Sequence, residues 1–138
     1  MANERIIIET SVKKSLDQVW EKWTLPQHIM AWNNASEEWY TPSAENDLRV
    51  GGKFNYTMAA RDGSFSFDFS GTYNEVIFGK KIAYTIEDGR KVEIEFTDLD
   101  GCVKVVESFE AEETNSLEMQ RAGWQAILDN FKRYVELD

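Results

Sequence analysis

ETNSLEMQRAGWQAILDNFKRYVEL, residues 113–137, is the stretch whose reading decides the fold. At helical spacing Leu117, Trp124, Leu128, Phe131 and Val135 share one face, flanked by Ile127 and Tyr134. Asn115 followed three residues later by Glu118 is a variant of the capping box that opens such a helix. A helix with one broad apolar stripe has to bury it against something. The segments before it read as short strands with aromatic residues at alternate positions, so the helix is expected to lie on the apolar face of a sheet.

Those strands follow one another with tight turns between them. Phe54, Tyr56 and Met58 alternate, and Arg61-Asp62-Gly63 supplies a turn. Phe65, Phe67, Phe69, Gly71 and Tyr73 then share one face, with Ser66, Asp68, Ser70 and Thr72 on the other. Gly71 interrupts a row of rings, which a bulge, a bend or the close approach of another element would explain. Ile82, Tyr84 and Ile86 lead to a turn at Asp88-Gly89, and Val92, Ile94 and Phe96 to a turn at Asp100-Gly101. Val103, Val105, Glu107 and Phe109 complete the last strand. Such turns make an antiparallel meander.

Ahead of this block, residues 5–12 are short and β-branched, as in a strand. Ser15-Leu16-Asp17-Gln18 is a capping box opening a helix that buries Leu16, Val19, Trp20 and Trp23. Thr24-Leu25-Pro26-Gln27 repeats the pattern and predicts a second short helix through about Trp32, with Pro26 in its first turn. Residues 33–49 are polar and without a clear period, so a loop is expected there. Trp39-Tyr40 within it either folds over something apolar or plugs the end of the core. The class is α+β: a curved antiparallel sheet of about six strands wrapped around the C-terminal helix in a helix-grip arrangement, one domain over residues 1–138.

Composition narrows the function. The chain has 138 residues, 42 % of them apolar and 13 % aromatic, enough for a core and for rings that line a pocket. With 15 basic and 25 acidic residues its net charge is −10, which argues against nucleic acid or anionic membrane as a partner. The N-terminal residues do not read as a signal peptide, and no apolar run reaches the length of a membrane span, so a soluble cytoplasmic protein is expected. The single cysteine, Cys102, reads as a small strand residue and offers no internal disulfide.

Four stretches taken together resemble the heat-shock-protein-90 ATPase-activator homology family, within the START and birch-pollen-allergen-like helix-grip domains (the SRPBCC group). They are Val19-Trp20-Glu21-Lys22-Trp23 with Pro26 behind it; Leu48-Arg49-Val50-Gly51-Gly52-Lys53-Phe54; Phe69-Ser70-Gly71-Thr72-Tyr73-Asn74-Glu75-Val76; and Gly123-Trp124-Gln125-Ala126-Ile127-Leu128-Asp129-Asn130-Phe131. Their order and spacing span nearly the whole chain. The resemblance implies a cavity between helix and sheet that in related domains takes bulky apolar molecules, and a chaperone as a partner. The family's name comes from a co-chaperone with a separate N-terminal domain. This chain begins directly with the first strand, so that preceding domain is expected to be missing.

The expected ligand is therefore a small hydrophobic or aromatic molecule. The residues expected around it are Trp32, Trp39, Phe54, Tyr56, Met58, Phe67, Phe69, Tyr73, Tyr84, Phe96, Glu107, Phe109, Met119, Arg121 and Trp124. Glu107 shares its alternation with apolar neighbours, so it either faces the helix or escapes to solvent at the strand end. If inside, it needs a partner, and Arg121, Tyr56, Tyr73 and Tyr84 are the candidates. No catalytic residue is assigned. His28, the only histidine, has no carboxylate three or four residues away and reads as a surface or packing residue. One His and one Cys make no zinc pattern, and no phosphate-binding or dinucleotide motif is present, so neither a metal nor a cofactor is expected. A cyclase or dehydratase using Glu107 and nearby tyrosines, and a co-chaperone, are the alternatives to a binding module. A monomer and a homodimer are both compatible with the sequence.

Overall fold

The computed structural model describes residues 4–137. The elements run β1 (Arg5–Val12), α1 (Leu16–Thr24), α2 (Pro26–Trp32), β2 (Trp39–Asn46), β3 (Lys53–Ala60), β4 (Ser66–Ile77), β5 (Lys81–Ile86), β6 (Lys91–Asp98), β7 (Val103–Glu110) and α3 (Leu117–Glu136). All seven strands form one sheet in the order β1-β7-β6-β5-β4-β3-β2, with every neighbouring pair antiparallel. The sheet curls around the apolar side of α3, which is the helix-grip arrangement.

β2 lies where a loop was expected. Its apolar content is low because it is an edge strand, and its period is broken because the register shifts between Tyr40 and Ser43. Pro42 sits in that shift, where a residue without an N–H interrupts the ladder. Trp39 packs beside Phe65 and Phe67, with ring centroids 6.2 and 5.9 Å away, so it closes one end of the sheet. Tyr40 is on the surface under the Arg61 guanidinium.

Helix starts obey local chemistry. Ser15 and Gln18 make the full capping box ahead of α1. The repeated pattern at Thr24 does not cap α2: Leu25 holds the N-cap without a side-chain bond, and Thr24 Oγ1 donates back to the Trp20 carbonyl at 2.8 Å. Pro26 still occupies the first turn as read. α3 opens one residue later than its expected cap, at Ser116, whose Oγ accepts the Met119 N–H at 3.1 Å. Asn115 instead donates its N–H to Glu112 Oε1. Cys102 lies in the turn before β7 rather than in the strand.

The core runs from Val12, Val19 and Ile29 to Val103, Val105, Phe109, Leu128, Phe131 and Val135, all at 1 % exposure or less. Trp23, Trp32 and Phe131 meet edge-on or tilted within 5.0 Å, joining all three helices. Phe109 and Trp124 stack face to face, centroids 3.9 Å apart and planes within 9°, fixing the first half of α3 to β7. The apolar stripe thins toward the N-terminus of α3, where Leu117 is 44 % and Met119 61 % exposed.

Gly71 marks a close approach. A Cβ there would lie 2.6 Å from the Thr85 carbonyl oxygen and 2.9 Å from the Phe54 ring, which therefore uses the space a fourth ring would have taken. Gly71→Ala is expected to destabilise the protein by about 1–3 kcal/mol, the range for an overpacked core, in a denaturant melt. A loss below about 0.5 kcal/mol would show that Phe54 is free to move aside.

Candidate functional site

Between α3 and the middle of the sheet lies a cavity of about 260 Å³. Its walls come from every layer of the fold. Trp23 and Trp32 come from the short helices, and Tyr56, Met58, Phe67, Phe69, Tyr73, Ile82 and Tyr84 from β3, β4 and β5. Trp124, Ile127 and Leu128 come from α3, and Asn33, Arg90 and Glu107 add polarity.

Strand alternation delivers the tyrosines. Tyr73 and Tyr84 are directly paired across β4 and β5, and Tyr56 pairs with Phe69 across β3 and β4. Tyr73 is held by a relay: its hydroxyl donates to Asn46 Oδ1 at 2.5 Å, and Asn46 Nδ2 donates to the Thr24 carbonyl at 2.7 Å. Burial raises the Tyr73 hydroxyl to about 12. Burial, followed by neighbouring phenols, pushes Tyr56 well above its ordinary value, and burial followed by Glu107 does so for Tyr84. At neutral pH all three are uncharged donors and acceptors.

Glu107 faces inward, at 6 % exposure in a strand whose residues alternate between buried and half-buried. Its partners across the ladder are Ile8 and Ile94, neither of which can solvate a charge. Among the described residues none hydrogen-bonds its carboxyl, and burial raises its pKa to about 8. Arg121 does not reach it, because its guanidinium donates to the Ile7 carbonyl at 2.8 Å outside the sheet. Arg90, in the turn before β6, lines the cavity but commits its Nε to Asp88 Oδ2 at 2.8 Å.

Asn33 is the second unmet polar group. Its backbone is pinned on both sides, the N–H donating to Ile29 O and the carbonyl accepting from Thr41 Oγ1. The side-chain Nδ2 is buried without a partner among the described residues. Two polar side chains more than nine-tenths buried, on the wall of one void and unsatisfied, is a costly arrangement for a structural core.

Of the residues expected at the site, Trp32, Tyr56, Met58, Phe67, Phe69, Tyr73, Tyr84, Glu107 and Trp124 form the cavity wall. The others lie elsewhere. Phe54 braces Tyr56, Tyr73 and Tyr84 from behind, and Phe109 backs Trp124. Trp39 backs Phe67, while Phe96 packs against Trp20 and Trp23 away from the void. Met119 and Arg121 are on the outer side of α3. Sequence reading missed Trp23, Asn33, Ile82, Arg90, Ile127 and Leu128. The apolar four were visible only as faces of their elements. Nothing local marks Asn33 or Arg90, each next to a chain reversal. His28 is off the site, its Nδ1 2.7 Å from the Tyr134 hydroxyl, linking α2 to α3. Among the described residues no group of three or more His, Cys, Asp or Glu could hold a metal, and no helix is long and apolar enough to cross a membrane.

Comparison with known proteins gives a family and a fold. The sequence model for "Activator of Hsp90 ATPase homolog 1-like protein" matches residues 13–136. The solution structure of an AHSA1-like protein from Aeromonas hydrophila is 43 % identical, with a TM-score of 0.92 over 97 % of this chain and 93 % of that one. A protein from Cytophaga hutchinsonii is 52 % identical, with a TM-score of 0.84 over 96 % and 92 %. A Nitrosomonas europaea protein at 18 % identity has the same fold, with a TM-score of 0.84 over 96 % and 94 %. No curated protein matches the sequence.

Burial lifts the Glu107 carboxyl from the ordinary carboxylate range to about 8, so between the two the folded state holds a proton that the unfolded chain releases. The sign follows: this side chain's contribution is most favourable below the ordinary carboxylate range and is lost as pH rises to about 8. Glu107→Gln is expected to stabilise the protein, with a gain in melting temperature that grows across that window and levels off above it. A gain independent of pH would place the carboxyl in contact with water.

Proposed function

This chain belongs to the activator-of-Hsp90-ATPase homology family, and we propose that it is a binding module for a small hydrophobic or aromatic molecule held between the sheet and α3. One observation carries this reading: the void has aromatic walls and one inward carboxyl, Glu107, with no hydrogen-bond partner among the described residues. Sites for small ligands combine a mostly apolar concavity with a few oriented polar groups. At about 260 Å³ the space exceeds the ~150 Å³ apolar cavity that accepts a benzene, which suits one or two rings.

A catalytic alternative would use Glu107 as an acid or base with a tyrosine hydroxyl. Glu107 has a pKa suited to such work, but no second group is hydrogen-bonded to it to complete a proton path. A chaperone partnership draws its support from the family description alone.

A thermal-shift and amide-NMR screen with one- and two-ring aromatics tests the proposal. Compounds that bind should shift the signals of Tyr84, Glu107 and Trp124. They should raise stability by roughly 2.7 kcal/mol at a hundred times the dissociation constant. Ile127→Trp, which places a ring in the void, should abolish both effects. A screen without a stabilising compound, together with a core found to be filled, would reject the proposal.

A further inference from the structure

We infer that the cavity selects a flat aromatic amide or lactam, whose adjacent N–H and C=O pair with the Glu107 carboxyl. This rests on the binding-module reading above and specifies its ligand. The geometry supplies the motive. Glu107 is enclosed by Ile8 and Ile94 on its ladder and shares the void with Tyr84, Trp124 and Leu128. Among the described residues it has no hydrogen-bond partner, and it lines the void, so a ligand held there can supply one.

The protonation state decides what suits it. Burial keeps the carboxyl protonated near neutral pH, so it offers one O–H donor and one carbonyl acceptor side by side. A cis-amide edge presents the reverse pair and satisfies both at once without burying a charge. A protonated amine would have to ionise Glu107 and bury an ion pair, whose attraction barely offsets the desolvation of both charges. A carboxylate ligand would meet Arg90 at the wall, where Asp88 engages the Nε and offsets part of the positive charge, and naphthoate in the titration below decides between it and the lactam.

The other titratable groups on the cavity wall do not compete. Tyr56 on β3, Tyr73 on β4 and Tyr84 on β5 stay neutral because burial raises all three. The wall residues from α1 and α3, together with Trp32 of α2, are apolar or aromatic, and Asn33 does not titrate. Glu107 is thus the one group on the wall whose charge changes near pH 8.

The test is calorimetric and NMR titration of the whole protein with carbostyril, a two-ring lactam, beside N-methylcarbostyril, naphthalene, benzylammonium and naphthoate. Carbostyril should bind about tenfold or more tighter than N-methylcarbostyril and naphthalene, the scale of one net hydrogen bond. Its affinity should fall as pH rises through about 8 in the wild type. Glu107→Gln, which carries a permanent donor and acceptor, should bind carbostyril with no such pH dependence, and Glu107→Leu should lose the preference. Equal affinity for carbostyril and naphthalene would overturn the lactam assignment and leave the binding module standing. So would tighter binding of benzylammonium with proton release, or of naphthoate. If none of the probes binds, the lactam assignment falls, and the binding module falls with it only if the wider aromatic screen also finds no stabilising compound and the core is found to be filled.

Discussion

One helix has to cover a sheet too wide for it. Seven strands at about 4.8 Å spacing make a surface roughly 29 Å across, whereas a helix with its side chains is about 10–12 Å wide. The protein meets this constraint by curling the sheet and placing α3 against the β1 side and α2 against β2 at the other edge. The middle strands are left with less cover than their apolar faces require. Tyr56, Tyr73 and Tyr84 stand on those strands, and the void lies over them. Cavity and fold therefore have the same origin.

Division of labour along α3 follows. Its second half, with Leu128, Phe131 and Val135 fully buried, packs as ordinary core. Its first half buries one large ring, Trp124 stacked on Phe109, and is otherwise tied by polar contacts: buried Gln120 to the loop before the helix, and Arg121 to the Ile7 carbonyl. Trp124 serves both parts, being anchored on one face by β7 and lying 6.1 Å from Phe69 across the void. Local opening is expected where fewer apolar groups are buried, and that places any entry for a ligand at the N-terminal half of the helix.

Much of the architecture was legible in the sequence because period-two and period-3.6 patterns report which face is buried. The alternation of Val103, Val105, Glu107 and Phe109 already carried the inward direction of Glu107, and the structure settles the register that left it open. β2 was not legible: an edge strand with a proline at a register shift loses both its apolar face and its period. Within the site, the aromatic residues were visible as a class, but the distinction between wall and support was not. Phe54, Phe96 and Phe109 alternate as cleanly as Tyr56 and Tyr84, and only the curvature of the sheet decides which rings meet the void. Asn33 and Arg90 come to the cavity through chain reversals, where side-chain direction has no periodic signature. Arg121 shows the converse, since its helical position suggested an inward partner for Glu107 and its guanidinium binds the edge of β1 instead.

The central claim is that this narrow cover leaves an apolar void over the middle strands. Methyl NMR under xenon pressure tests it most directly, since xenon enters dry apolar cavities of this kind. The account predicts saturable shifts confined to Met58, Ile82, Ile127 and Leu128, with Val12, Val105 and Val135 unmoved. Shifts absent from the first four, or spread evenly through the core, would contradict it.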